Sequence, residues 1–152
     1  MAADSDRERV WRLIEKIGYC MLAAREGRDI RARPMAAFAA PDENAIYFLV
    51  DGGSQKQAQS QSNVCLAFAD VECQNYVSLS SHAELSNDRA KIKELWSTPA
   101  RAWWESPDDP AIRVLKVTPK DAQYWDSPGT IMSYVEMLAA AVADNRPDSS
   151  GR

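Results

Sequence analysis

Residues 19–50, YCMLAAREGRDIRARPMAAFAAPDENAIYFLV, are the stretch that decides the fold. Three apolar runs, YCMLAARE, IRARPMAAFAA and AIYFLV, are separated by short turns at residues 26–28 and at the PDEN segment, residues 41–44. Strand-like runs joined by so few turn residues are typical of antiparallel hairpins. Because no helical pattern separates these runs, a doubly wound parallel sheet is disfavoured.

The segments around this stretch predict further strands with helices between them. Residues 5–17 have a helical apolar period, with Ser5 and Glu8 spaced as a capping box and Gly18 closing the helix. QKQAQSQS predicts one or two helical turns, and RAKIKELW predicts a helix capped by Asn87 or Ser86. We predict strands in VCLAFAD, YVSLSSHAEL and AIRVLKVTP, a short extended AQYW, and a helix near residues 131–143.

This order of elements predicts a mainly β protein with flanking helices. About six short antiparallel strands with turn signals between them are typical of a small barrel with helices packed outside. The length of 152 residues fits one domain, which we place at residues 1–144. The polar residues 145–152 are expected to form a disordered tail.

Composition limits the classes of partner and site. The net charge of −4 argues against a nucleic-acid binder, and the charged N-terminus and the lack of a long apolar run predict a cytoplasmic protein that does not enter a membrane. Cys20, Cys65 and Cys73 have no metal-binding spacing and are expected to be reduced structural thiols. With His82 as the one histidine, no metal site is predicted, and His82 is expected to be a polar strand residue.

The second strand carries unexpected charge. Strand alternation places Arg31, Arg33, Met35 and Ala37 on one face, and Pro34 predicts an edge or bulged position because it cannot donate a ladder hydrogen bond. If PDEN is a hairpin loop, residues 40 and 45 pair. The same count then places Met35 opposite Val50 and Arg33 opposite Gly52.

This count predicts a phosphate site beside the DGGS turn. Ser54 is a suitable helix N-cap, and Lys56 would lie in the first turn, so a guanidinium, a hydroxyl, free backbone amides and an ammonium would converge. The alternative is that Arg31 and Arg33 are solvated strand residues, that Ser54 only caps a helix and that Lys56 lies on the surface.

Several motifs together resemble the general stress protein branch of the pyridoxamine 5′-phosphate oxidase-like flavoproteins. They are RPM, YFLVDGGSQK, YVSLSSHAEL and the long segment ELWSTPARAWWESPDDPAIRVLKVTPKDAQYWDSPG. The likeness covers residues 8–130, and the long segment is its most specific part. The resemblance implies a split β-barrel that binds FMN and forms a homodimer with flavins at the subunit interface.

The resemblance also implies roles for individual residues. Arg33 would contact the FMN phosphate, Pro34 and Met35 would border the isoalloxazine, and Leu49 and Val50 would meet the flavin from the next strand. Ser54, Gln55 and Lys56 match the family's phosphate turn, although Gln55 stands where better-studied oxidases carry a second cation. Ser81 replaces a glycine that usually ends the YVSLS motif, and the tail shows no counterpart of the residues that grip pyridoxine phosphate.

The implied activity is hydride or electron transfer between a small reductant and an acceptor, with the chemistry supplied by the cofactor. The alternatives are a non-catalytic stress-response protein that stores or senses FMN, the same barrel with a deazaflavin or haem, and an empty scaffold dimer. His82 alone disfavours haem. Trp103 and Trp104 are expected to pack in a core or interface, with covering of the partner's flavin as the alternative.

Overall fold

The structure is a computed structural model that describes residues 2–52, 61–96, 104–126 and 132–138. Its helices are α1 (Ala2–Ile17), a short 3-10 helix (Pro41–Glu43) and α2 (Arg89–Leu95). Its strands are β1 (Tyr19–Glu26), β2 (Asp29–Ala36), β3 (Phe38–Ala40), β4 (Ala45–Asp51), β5 (Gln61–Asp70), β6 (Asn75–Ser86), β7 (Ile112–Asp126) and β8 (Met132–Glu136). None of the helices in these ranges is long and apolar enough to cross a bilayer.

All strand pairs are antiparallel, in the order β2-β1-β5-β6-β7-β4-β3, with β8 also paired to β7. The predicted mainly β fold with flanking helices is therefore confirmed. The described strands number eight rather than about six, and in these residues β2 and β3 end the sheet without closing it. Pro34 lies in β2, so its predicted edge position is also confirmed.

Helix α1 ends where the sequence predicts. Gly18 has φ +80°, a conformation that favours glycine, and its amide donates to the Ile14 carbonyl at 2.9 Å. The helix begins at Ala2, however, so Ser5 lies inside it rather than capping it. At α2 the cap is Asp88, whose carboxylate accepts from the Lys91 amide, and not Asn87 or Ser86 as predicted.

Two predictions near the C-terminus are wrong. AQYW is not a separate piece, because β7 runs without interruption through residue 126. Residues 132–136 form strand β8 and not a helix, since they pair with residues 121–125 of β7. Residues 131 and 139–143 of the predicted helix, the QKQAQSQS turns and the tail at 145–152 lie outside the described residues.

The hairpin count is right near its turn and wrong beyond it. Ala40 pairs with Ala45 as predicted, but the β3–β4 ladder contains only three pairs. The Ala37 amide donates to the Gly18 carbonyl, and from Ala36 back to Asp29 the chain pairs with β1. Arg33 therefore lies opposite Leu22, not Gly52.

Met35 likewise lies opposite Cys20 rather than Val50. Val50 pairs instead with Arg113 of β7, and the Gly52 amide donates to the Ala111 carbonyl at 2.7 Å. The physical reason is that a hairpin turn fixes register only as far as its two strands remain paired.

Two hydrophobic clusters pack on opposite faces of β4. Ile46, Phe48 and Val50 belong to the main core, which α1 covers through Val10, Trp11, Leu13 and Ile14. Tyr47 faces the second cluster, which contains Ile92 of α2, Trp104, Ile112 and Val114. Trp104 is thus a packing residue, as expected, whereas Trp103 lies outside the described residues.

Candidate functional site

The β1–β2 hairpin forms one wall of an open groove of about 1010 Å³. The hairpin turns tightly, because Glu26 pairs with Asp29 and Gly27 between them has φ +64°. Residues opposite one another in an antiparallel ladder point to the same face, so Leu22 shares its face with Arg33, and Ala24 shares it with Arg31. The groove is consequently apolar near its floor and charged near the turn.

The floor consists of aliphatic side chains. The floor is lined by Leu22, Met35, Val64, Ala83 and Leu115. Met35 packs against the main core, and the other four residues belong to it. Such a surface accepts a flat apolar group, because burying it removes apolar area from water on both sides. The predicted placement of Arg31, Arg33 and Met35 on one face is confirmed, since all three line the groove.

Both arginines are held by one carboxylate. Arg33 Nη2 donates to Glu26 Oε2 at 2.5 Å, and Arg31 Nε lies 3.2 Å from Glu26 Oε1. The side chain of Arg31 is 62% exposed and that of Arg33 is 39% exposed, so both retain access to the groove. Their positive charges and planar donors suit a phosphate or carboxylate ligand.

The opposite wall contains a break in the β6–β7 ladder. The register shifts between Ser80 and Ser81, and the buried Ser81 hydroxyl donates to the Leu79 carbonyl at 3.3 Å. Ser81 stands at the position where the resemblance expects glycine, and the irregularity falls at that point. Lys120 of β7 also lines the groove and adds an ammonium group to its donors.

The other predicted site residues are not all in this groove. Pro34 lies on β2 opposite Met21, on the face away from Arg33. Leu49 and Val50 lie on β4, where Leu49 packs against the second cluster and Val50 is buried in the main core. The described chain does not bring these two to the groove, and their predicted flavin contact stays a prediction. Ser54, Gln55 and Lys56 lie outside the described residues.

The cysteines do not form a reactive site. All three are free, and burial raises the pKa of Cys20 to about 12, which keeps that thiol protonated and unreactive. Cys65 lines the groove, and its sulfur lies 3.6 Å from the Ser78 hydroxyl. Cys73 is exposed. The described ranges contain no cluster of three His, Cys, Asp or Glu suited to a metal ion.

Sequence reasoning missed two charged residues of the site, Glu26 and Lys120. Glu26 could have been found, because a two-residue turn at Gly27 and Arg28 places it on the face of Arg31 and Arg33. Lys120 could not, because its position depends on where β7 pairs with β6 and on the register shift beside it.

Solved structures share this fold. General stress protein 26 from Bacillus anthracis matches with a TM-score of 0.72 and 17% identity, covering 86% of this chain and 97% of its own. A general stress FMN/FAD binding protein from Xanthomonas citri matches with a TM-score of 0.72 and 24% identity, covering 86% and 94%.

A third match is a Clostridium acetobutylicum protein related to general stress protein 26 of the pyridoxinephosphate oxidase family. Its TM-score is 0.72 at 15% identity, with 88% of this chain and 95% of that chain covered. No curated protein matches the sequence. These likenesses define the class of protein as an antiparallel β protein of the split-barrel type. The pyridoxamine 5′-phosphate oxidase-like family model matches residues 5–148, and the chain belongs to that family.

Proposed function

We propose that this chain is a flavoprotein that binds FMN and transfers hydride or electrons between a small reductant and an acceptor. The observation that carries the proposal is the groove, which joins two arginines at its rim to an aliphatic floor. A phosphate on a flat ring system has the same division into a charged and an apolar part. The volume of about 1010 Å³ is enough for such a ligand.

The residues of the groove fit FMN in type. Arg31 and Arg33 would hold the phosphate, with Ser54, Gln55 and Lys56 completing its donors, and Met35 would border the ring. Pro34, Leu49 and Val50 do not line this groove, and their contacts with the flavin stay predictions. When bound, FMN supplies the redox chemistry, while the protein contributes orientation and exclusion of water.

The second candidate function is flavin storage or sensing without turnover. It is favoured by the described lining of the groove, which contains no histidine that could donate a proton to a substrate. The two candidates differ in one measurement. Reduction of the bound flavin by NADH or NADPH, with reoxidation by an acceptor, indicates an enzyme, whereas a flavin that stays oxidised indicates a binding protein.

We further propose that the protein is a cytoplasmic homodimer; the flavin at the subunit interface that the resemblance implies stays a prediction, because the groove lies on the other face of the β1–β2 hairpin from the row described here. Support for the dimer comes from the outer face of the sheet, where an uncharged row crosses six strands in register: Pro34, Met21, Ala67, Ser78, Gln123 and Tyr134. Met21 is 41% and Tyr134 is 55% exposed in the single chain. A flat face with small central residues suits a second copy. The free thiols fit a reducing compartment.

The experiment that tests the proposal is an absorbance titration of the purified protein with FMN. A shifted flavin band and quenched flavin fluorescence, saturating at one flavin per chain, are expected. Riboflavin and FAD serve as comparison ligands, because FMN differs from riboflavin only by its phosphate. No spectral change with any of the three flavins would refute flavin binding.

A further inference from the structure

The β1–β2 hairpin places an acid where an anionic ligand would bind. Its register puts Glu26, Arg31 and Arg33 on one face, the face that lines the groove. Glu26 is the last residue of β1, directly before the tight turn at Gly27, and so it stands at the rim rather than on the floor. A carboxylate at that position was not needed to fold the hairpin, whose turn is set by glycine.

The two oxygens of Glu26 are divided between the two arginines. Oε2 accepts from Arg33 Nη2 at 2.5 Å, and Oε1 lies 3.2 Å from Arg31 Nε. Asp29 makes a weaker contact, with its Oδ2 3.6 Å from Arg31 Nη2, and does not line the groove. One carboxylate therefore occupies a donor on each of the two guanidinium groups that line the groove.

We propose that Glu26 sets the affinity and selectivity of the groove for phosphate-bearing ligands by competing for Arg31 and Arg33. An entering phosphate competes with Glu26 for the two guanidinium groups, and the nearby carboxylate repels it. A ligand that lacks the phosphate leaves the pairs intact and meets no such opposition. Glu26 thus lowers the preference of the groove for FMN over riboflavin, an inference that rests on the proposed function.

The experiment compares wild-type protein with Glu26→Gln and the matched control Asp29→Asn. Each variant removes one negative charge from the same hairpin, but only the first frees Arg33. For Glu26→Gln we expect FMN to bind about 3- to 10-fold more tightly, the range for one or two partly exposed ion pairs, with riboflavin affinity unchanged. Asp29→Asn should change the FMN affinity by less than about twofold.

A second measurement keeps the inference separate from flavin binding. Inorganic phosphate is titrated into isotopically labelled protein while the Nε–H signals of Arg31 and Arg33 are followed by nuclear magnetic resonance. In Glu26→Gln both signals should shift at lower phosphate concentration than in the wild type. If no flavin binds to any of the three proteins, the proposed function fails, and this titration alone decides the role of Glu26.

Three results would overturn the inference. One is that Glu26→Gln has the same ratio of FMN to riboflavin affinity as the wild type and that its arginine signals shift at the same phosphate concentration. Another is weaker FMN binding in that variant, which would mean that Glu26 holds the arginines in position for the ligand. The third is an equal gain in Asp29→Asn, which would reduce the effect to overall charge.

Discussion

Arg33 lies directly opposite Leu22 in the β1–β2 ladder, while its guanidinium reaches past Ala24 to the carboxylate of Glu26. One residue thus joins the apolar floor of the groove to its charged rim. This position explains how a charged side chain occurs in a strand whose neighbours pack in the core.

Replacing Arg33 with alanine should weaken FMN binding by about 1.5–3 kcal/mol, the range for charge-assisted hydrogen bonds. Lys56→Ala is expected to have an effect of the same size if the phosphate turn is as predicted. Fluorescence titration measures both, and Arg28→Ala is the control, because Arg28 is in the same hairpin but does not line the groove. Unchanged affinity in both variants would refute the phosphate assignment.

Met21→Asp should dissociate the proposed dimer, because it places a charge in the middle of the uncharged row on the outer face of the sheet. Light scattering after size-exclusion chromatography is expected to give twice the chain mass of 16.9 kDa for the wild type and that mass itself for the variant. Val71→Asp, which changes an exposed residue in the turn after β5, is the control. A wild-type monomer would contradict the proposed dimer.

Tyr47 should make the protein sensitive to alkaline pH. Burial, assisted by its hydrogen bond to Glu43, raises the pKa of Tyr47 from 10.0 to about 12. The folded state therefore holds this proton more tightly than the unfolded state, so the stability it contributes is complete below pH 10 and is lost as the pH rises toward 12.

Tyr47→Phe cannot titrate, and its free energy of unfolding should fall less steeply than that of the wild type between pH 10 and 12. Urea unfolding at a series of pH values gives the slopes. Glu43→Gln should give an intermediate slope, since it removes one of the two main causes of the raised pKa. Parallel profiles for wild type and Tyr47→Phe would show that the phenol titrates alike in both states.

Arg89 should be a main source of stability in the segment that follows α2. Its guanidinium donates to the carbonyls of Pro107, Asp109 and Ile112 at 2.8–3.0 Å and to the Asn87 side chain. Arg89→Ala removes these charge-assisted hydrogen bonds and takes the Arg89 donor from the Pro107 carbonyl, and we expect a loss of about 2–3 kcal/mol in the free energy of unfolding. Lys93→Ala, at an exposed position of the same helix, should change it by less than about 0.5 kcal/mol.

Local sequence patterns correctly predicted the elements whose bounds depend on neighbouring residues alone. Gly18 ends α1 because the chain there needs a positive φ, and β1 and β4 follow their apolar runs to within a residue. Strand β8 was missed because IMSYVEML has a helical apolar period, and only its pairing with Tyr124 and Trp125, set by the tertiary structure, makes it a strand. The cap predicted at Asn87 is one residue too early, because the neighbouring Asp88 is an equally suitable N-cap and occupies that position.

The site was predicted in part. Arg31, Arg33 and Met35 share a face as strand alternation requires, because that property depends only on the two-residue period. The pairing with Val50 and Gly52 failed because the hydrogen bond between Ala37 and Gly18 marks where the chain changes partner, and no local signal encodes it. The phosphate contacts of Ser54, Gln55 and Lys56 remain a prediction.

The placement of β7 has a consequence for synthesis of the protein on the ribosome. This strand pairs with β4, β6 and β8, yet it begins only at Ile112. Until it has emerged, a nascent chain holding the first six strands exposes the open edges of β4 and β6, which can template aggregation. Emergence of the chain through residue 126 is therefore the step at which these two edges can first be covered.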